Sequence, residues 1–167
     1  MLVPSRMARI EILRTWTSEL GRPQSIRCEV VEVDVRRRTD DRKFLRELVL
    51  DRLGLGLTYP LEETFTDCGR AVATAYLRRG LTQTRAYNAP LMPEMQANEV
   101  VEVVHSLMPK STRWFSTEET HEECEVAALA SATTRWGTPI SVDRTFESLV
   151  AGIASTRAFL FYAWDED

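Results

Sequence analysis

The chain contains only two histidines, and each follows a glutamate by three positions. The pairs are Glu102 with His105 and Glu118 with His121. Residues three apart share one face of a helix, and a carboxylate beside an imidazole is the ligand pair of di-metal helical bundles. The four residues are therefore a candidate site for zinc, iron or manganese. Such a site would make the chain a small metal-dependent enzyme, a hydrolase or an oxidase.

The acidic residues around His121 also have an explanation that needs no metal or other cofactor. Ser116 and Glu119 have the spacing of a capping box, which opens a helix. Acidic side chains in the first turns of that helix would be stabilised by the helix dipole. They are Glu118, Glu119, Glu122 and Glu123. We favour this interpretation over the metal site, so no cofactor is expected.

Other familiar catalytic signatures are missing from the sequence. It has no GxSxG, GxxxxGK[ST], HExxH or CxxC motif. Cys28, Cys68 and Cys124 lie among apolar residues, which is typical of buried, unreactive thiols. The sequence therefore favours a protein that is not an enzyme.

A basic stretch offers a weak nucleic-acid interpretation. It comprises Arg36, Arg37, Arg38, Arg42, Lys43 and Arg46, and Asp40, Asp41, Glu47 and Asp51 are interleaved with it. Interleaved charges of both signs indicate ion pairs on a helix surface. We therefore do not expect a nucleic-acid partner.

The net charge of −4 hides an uneven distribution. Residues 1–85 hold 16 basic and 12 acidic side chains, whereas residues 86–167 hold 5 basic and 13 acidic ones. The two halves thus carry +4 and −8. Such asymmetry suggests a partner that contacts one face.

We therefore predict a protein-binding domain, such as an inhibitor or immunity-type protein, whose acidic face meets a partner with a basic surface. The predicted face comprises Glu118, Glu119, Glu122 and Glu123. Trp114 would anchor the interface if exposed, or pack in the core if buried. Self-association, with the basic half of one chain against the acidic half of another, is the alternative, and it would make the chain a homodimer.

Length and hydropathy predict one globular domain over residues 1–167. No apolar run approaches the roughly 18 residues of a membrane span, and the N-terminus does not resemble a signal peptide. We therefore expect a cytoplasmic protein without a membrane partner. Translation could start at Met1 or at Met7.

Periodicity and capping signals predict six helices and two or three strands. The helices are expected at residues 5–20, 40–53, 60–79, 94–108, 116–135 and 143–153, and the strands at 26–35, 158–164 and, at an edge, 81–87. Because the apolar face of strand 26–35 switches between Val30 and Val31, we predict a β-bulge there.

These elements predict an α+β fold with about six helices packed on a small two- or three-stranded sheet. The C-terminal strand is continuously apolar, so it should be buried on both faces. A mostly helical domain with one hairpin is the alternative.

Overall fold

The computed structural model describes residues 24–34, 40–55, 61–83, 89–117 and 146–165. Within these ranges the chain forms four helices and five strands. In chain order they are β1 (Gln24–Glu32), α1 (Asp41–Leu53), α2 (Leu61–Thr64), β2 (Thr66–Cys68), α3 (Arg70–Thr82), α4 (Glu94–Leu107), β3 (Arg113–Ser116), β4 (Phe146–Ile153) and β5 (Arg157–Asp165). None of these described helices is both long enough and apolar enough to cross a bilayer.

The strands form one antiparallel sheet in the order β1-β5-β4-β3-β2. The predicted fold class, six helices on a two- or three-stranded sheet, is therefore wrong. Two segments with helical apolar spacing, within 60–79 and 143–153, contain the strands β2 and β4, and the strand β3 was not predicted.

Each face of the sheet carries its own apolar cluster. One face, the α3–α4 face, packs strand residues such as Ile26, Val150 and Phe161 against helices α3 and α4. The opposite face, the α1 face, packs residues such as Leu149 and Leu160 against α1. The sheet is thus the middle layer of three, and a strand inside it is apolar on both sides.

This layering explains the change of apolar face in β1. Its register with β5 runs without interruption from Gln24 opposite Asp165 to Glu32 opposite Arg157. The predicted β-bulge is therefore wrong. Val30 packs toward the α3–α4 face and Val31 toward the α1 face, so both valines contact apolar residues although they point in opposite directions.

Helix α1 begins and ends where its capping residues predict. The Asp40 carboxylate accepts hydrogen bonds from the backbone N–H groups of Arg42 (2.9 Å) and Lys43 (3.0 Å). These bonds, that of Lys43 first, lower the pKa of Asp40. Gly54 ends the helix with φ at 63°, a left-handed conformation that glycine adopts without strain.

The helix predicted over residues 60–79 is divided into three elements. Helix α2 ends at Thr64, β2 pairs with β3, and α3 starts at Arg70 after Gly69. Residues 66–68 form a strand despite their helical spacing, because their backbone groups form hydrogen bonds with β3 at the edge of the sheet. Gly80 was predicted to end the helix, but α3 continues to Thr82. Gly80 instead lies where the Phe161 ring packs so close to the helix that a Cβ atom would clash with it.

In the C-terminal half, one further prediction is wrong and two predictions are confirmed. The predicted helix over 143–153 is strand β4 from Phe146 onward, and its residues 147–153 are buried. Helix α4 is confirmed, as is the C-terminal strand, whose residues 158–163 are buried on both faces. The short strand β3 was not predicted.

Several predictions fall wholly or partly outside the described residues. They are the helix at 5–20, the strand at 81–87 beyond Gln83 and the helix at 116–135 beyond Thr117. Leu81 and Thr82 belong to α3, and Ser116 is the last residue of β3.

Candidate functional site

The outward side of α4 carries acidic side chains and no basic lysine or arginine. Val100, Val101 and Val104 are buried and fix the orientation of the helix. The opposite side exposes Glu94, Met95, Glu99 and Glu102. These four residues are called the acidic face of α4. The 14 residues of the helix include no lysine or arginine.

The helix dipole accounts for only one of the three glutamates. Glu94 lies in the first turn, where a negative charge is stabilised. Glu99 and Glu102 lie beyond the first turn, where this effect has faded. None of the three forms an ion pair with another described residue. Their charges therefore face the surroundings without a neutralising partner in this part of the chain.

The charges around α1 are arranged differently. Arg113 of β3 contacts Asp41 at 2.7 Å and Asp67 at 3.0 Å. Asp67 also contacts Arg42 at 3.2 Å. Opposite charges are thus neutralised locally between α1, β2 and β3, so this surface has little net field to attract a partner.

The predicted basic stretch follows the same pattern where it is described. Arg46 contacts Glu62 at 3.3 Å, and Arg42 belongs to the network with Asp67. These two ion pairs join separate elements, so they are not the pairs within one helix that the interleaved charges predicted. Arg36, Arg37 and Arg38 lie outside the described residues.

His105 lies near the end of α4 and connects it to α3. Its Nε2 atom is 2.9 Å from Thr74 Oγ1, and Thr74 Oγ1 donates its proton to the backbone carbonyl of Arg70 at 2.8 Å. Because a hydroxyl has only one proton, we assign the proton of the neutral imidazole to Nε2, which donates to Thr74. Nδ1 then carries the lone pair.

The surroundings of His105 favour its neutral form. Its pKa is lowered, first by partial burial and then by the positive charges of Arg70 and Arg78, while Glu102 acts in the opposite direction. A neutral imidazole can accept a proton or bind a metal ion through Nδ1. The nearby guanidinium groups would oppose an added cation at this position.

The predicted metal site is only partly within the described residues. Glu102 is exposed and His105 is half-buried, whereas Glu118 and His121 lie outside the described ranges. The described residues alone contain no group of three or more metal-ligating side chains. The four-residue site therefore stays a prediction, which elemental analysis of protein purified without a histidine tag would test.

The predicted partner-binding residues are similarly divided. Glu118, Glu119, Glu122 and Glu123 lie outside the described residues. Trp114 is 2% exposed and packs edge-to-face against Phe159, with ring centroids 6.0 Å apart. Trp114 therefore packs in the core and is not exposed as an interface anchor.

The described cysteines have the environment of unreactive thiols. Burial raises the pKa of Cys28, and the charge of Glu29 adds to the effect. Burial also raises the pKa of Cys68, to about 12. Both side chains stay protonated near neutral pH, so neither is a ready nucleophile. Cys124 lies outside the described residues.

One polar pair in the core was not anticipated from the sequence. Tyr162 donates its hydroxyl proton to the carboxylate of Glu147, and both residues are almost fully buried. The Tyr162 ring also stacks on Trp164 at 4.8 Å. A single glutamate beside the apolar residues of β4 was the available signal, but it fell within the helix predicted over residues 143–153. A buried hydrogen-bonded pair of this kind fixes the relative position of two strands.

The acidic face of α4 was also missed, although its signal was present. Residues 86–109 contain three glutamates and no lysine or arginine. The predicted acidic surface lay after Ser116, and Glu102 was predicted only as a metal ligand.

The chain was also compared with known proteins. Protein-family models, curated protein sequences and solved structures gave no match.

Proposed function

We propose that the chain is a non-enzymatic, cytoplasmic protein-binding domain whose acidic surface contacts a basic partner. The observation that carries this proposal is the acidic face of α4. It presents three exposed glutamates without a neutralising ion pair in the described structure. The second half of the sequence also contains Glu118, Glu119, Glu122 and Glu123, which belong to its excess of acidic residues.

Met95 gives this surface an apolar contact point. Its side chain is 76% exposed, and it lies between Glu94 and Glu99 along the helix. A single exposed apolar residue is common on protein surfaces. Here it is flanked by charges that would orient a basic partner, and methionine adapts its shape to different partners. Charge would speed the encounter, and Met95 would be covered in the complex.

An inhibitor or immunity-type protein would use such a surface. Basic toxins and nucleases carry clustered positive charge for their own substrates, and an acidic protein can cover that charge. Helix α4 is held rigidly in place, because the apolar side of this helix packs in the core of the α3–α4 face. A preformed acidic surface binds without the cost of ordering a flexible segment.

Charge reversal on α4 tests the proposal. Wild-type protein and the variant E94K/E99K/E102K would be coupled to resin and exposed to soluble extract of the source cells at low and high salt. The matched control is E47K/D51K/E63K, which makes the same change in charge at exposed positions outside α4. Circular dichroism would establish that both variants fold.

We expect a basic protein to be retained by the wild type and by the control variant but not by the α4 variant. The purified partner should then bind the wild type with an affinity that falls as salt rises. Equal capture by all three proteins, or binding that salt does not weaken, would refute the proposal.

Self-association through opposite halves is the second form of this proposal. It requires the acidic face of one copy to contact the basic half of another. In that case E94K/E99K/E102K would convert a salt-sensitive oligomer into a monomer, as measured by sedimentation velocity.

A further inference from the structure

The outer groove between α3 and α4 contains a cluster of basic and hydrogen-bonding side chains. On α3, Arg70, Thr74 and Arg78 follow one another at four-residue spacing, so they lie on the same side of the helix. His105 of α4 lies beside them, because its Nε2 atom is 2.9 Å from Thr74 Oγ1. These four residues are called the α3–α4 groove cluster.

The α3–α4 groove cluster is accessible from solvent. Arg78 is exposed, and so are Ala71 on α3 and Glu102 on α4. Thr74 and His105 are half-buried between these exposed positions. A small ligand could therefore reach the cluster from solvent without displacing residues of the core.

The two arginines of the cluster carry positive charges that no described residue neutralises. Neither Arg70 nor Arg78 forms an ion pair within the described ranges. Arg70 Nη2 donates one long hydrogen bond, of 3.5 Å, to the backbone carbonyl of His105. Arg70 Nη1 is buried and has no hydrogen-bond partner in this part of the chain. Because a buried donor without an acceptor is unfavourable, an added acceptor with negative charge would be stabilised here.

Both guanidinium groups act on the same part of the groove. Each helps to lower the pKa of His105, because its positive charge lies near the imidazole, and Glu102 acts in the opposite direction. Thr74 lies midway between the two arginines, about 6 Å from each along the helix axis. Arginine side chains are long and carry several N–H donors, so the two can converge on an anion beside Thr74.

A single phosphate group suits this arrangement. Its oxygen atoms accept charge-assisted hydrogen bonds from guanidinium groups. A polyanion such as a nucleic acid would also come close to the acidic face of α4, whose three exposed glutamates would repel it. A small molecule with one phosphate group largely avoids this repulsion.

We propose that the α3–α4 groove cluster binds the phosphate group of a small molecule, which Arg70 and Arg78 hold beside Thr74. This site does not depend on the proposed contact with a basic partner, because the arginines that carry it are not part of the acidic face of α4. The variant R70Q/R78Q should therefore lose phosphate binding and still capture a basic protein.

Nuclear magnetic resonance of the histidine rings gives a direct assay of the site. The chain has only two histidines, and the variant H105Q identifies the signals of His105. Inorganic phosphate and glycerol phosphate would each be added at constant pH and constant ionic strength, with sodium chloride as the reference salt. We expect the His105 signals to move along a saturating curve with either phosphate compound and not with chloride.

Substitutions test which side chains hold the phosphate group. R78Q should weaken the binding of glycerol phosphate about ten-fold, and R70Q/R78Q should abolish saturation, because charge-assisted hydrogen bonds are lost. E102Q removes a nearby negative charge and should tighten binding about two-fold. The matched control K43Q/R52Q makes the same change in charge as R70Q/R78Q at exposed positions of α1 and should bind like the wild type. Circular dichroism would establish folding, and R78Q at an exposed position keeps the test valid if the double variant unfolds.

Three results would overturn the proposal. A wild-type protein whose His105 signals respond to phosphate as they do to chloride has no such site. Equal weakening of phosphate binding by the α3 variants and by the α1 control would indicate general attraction to the whole chain. Tighter binding of a single-stranded oligonucleotide than of glycerol phosphate would show that the groove serves a polyanion instead of a small molecule.

Discussion

Replacing Gly80 by alanine sets two opposing effects against each other. In an exposed helix, alanine is more favourable than glycine by about 1 kcal/mol. Gly80 is buried in α3 beside the sheet, and a Cβ atom there would lie 2.7 Å from Phe161 Cε1 and 2.9 Å from Cζ. These distances are well below normal carbon–carbon contact, so either the helix or the ring must move.

The ring has little room to move, because Phe161 is 1% exposed in the core of the α3–α4 face. Overpacking of a core typically costs about 1–3 kcal/mol. This exceeds the gain in helix propensity, so we expect G80A to lower the free energy of unfolding by about 1 kcal/mol. For a chain of this length the melting temperature would fall by about 2–4 °C.

A double-mutant cycle separates the two effects. Leucine at position 161 removes the ring atoms that the new methyl group would meet, so G80A should be neutral or stabilising in an F161L background. Urea denaturation of the four proteins would give a coupling energy of about 1–2 kcal/mol. If G80A stabilises the wild type, or if the two substitutions are additive, the close packing of α3 on β5 is not as described.

Three further predictions concern polar groups. Because the pKa of His105 is lowered in the folded protein, the unfolded chain takes up its proton first as pH falls. The contribution of His105 to stability is therefore complete above its ordinary pKa of 6.5 and is lost progressively below it. In H105Q, the difference between the free energies of unfolding at pH 7.5 and pH 5.5, measured by urea denaturation, should be smaller than in the wild type. An unchanged difference would contradict a lowered pKa of His105. Y162F keeps the stack on Trp164 but removes the proton donated to Glu147. It should therefore lower the free energy of unfolding by about 1–3 kcal/mol. An unchanged free energy of unfolding in urea would show that this hydrogen bond does not contribute to stability. D40A removes the cap of α1 and should lower the melting temperature, whereas the exposed control E47A should not; equal effects would argue against the cap.

Local sequence signals determined the elements whose ends and faces depend on near neighbours. Asp40 and Gly54 define α1 because a side-chain cap and a left-handed glycine act within one turn. The valines of α4 and the apolar run of β5 likewise predicted a helix and a buried strand. The excess of acid in the second half was also visible, although its described location on α4 was not.

Only the tertiary structure decided which apolar segments became strands. Thr66–Cys68 and Arg113–Ser116 form strands because they pair with each other across 45 or more intervening positions in the chain, a contact that no local spacing encodes. Segment 146–153 has helical spacing, yet it lies between β3 and β5, where both faces are covered. The sheet between two helical layers removes the simple alternation on which strand prediction depends, and this also explains the change of face in β1.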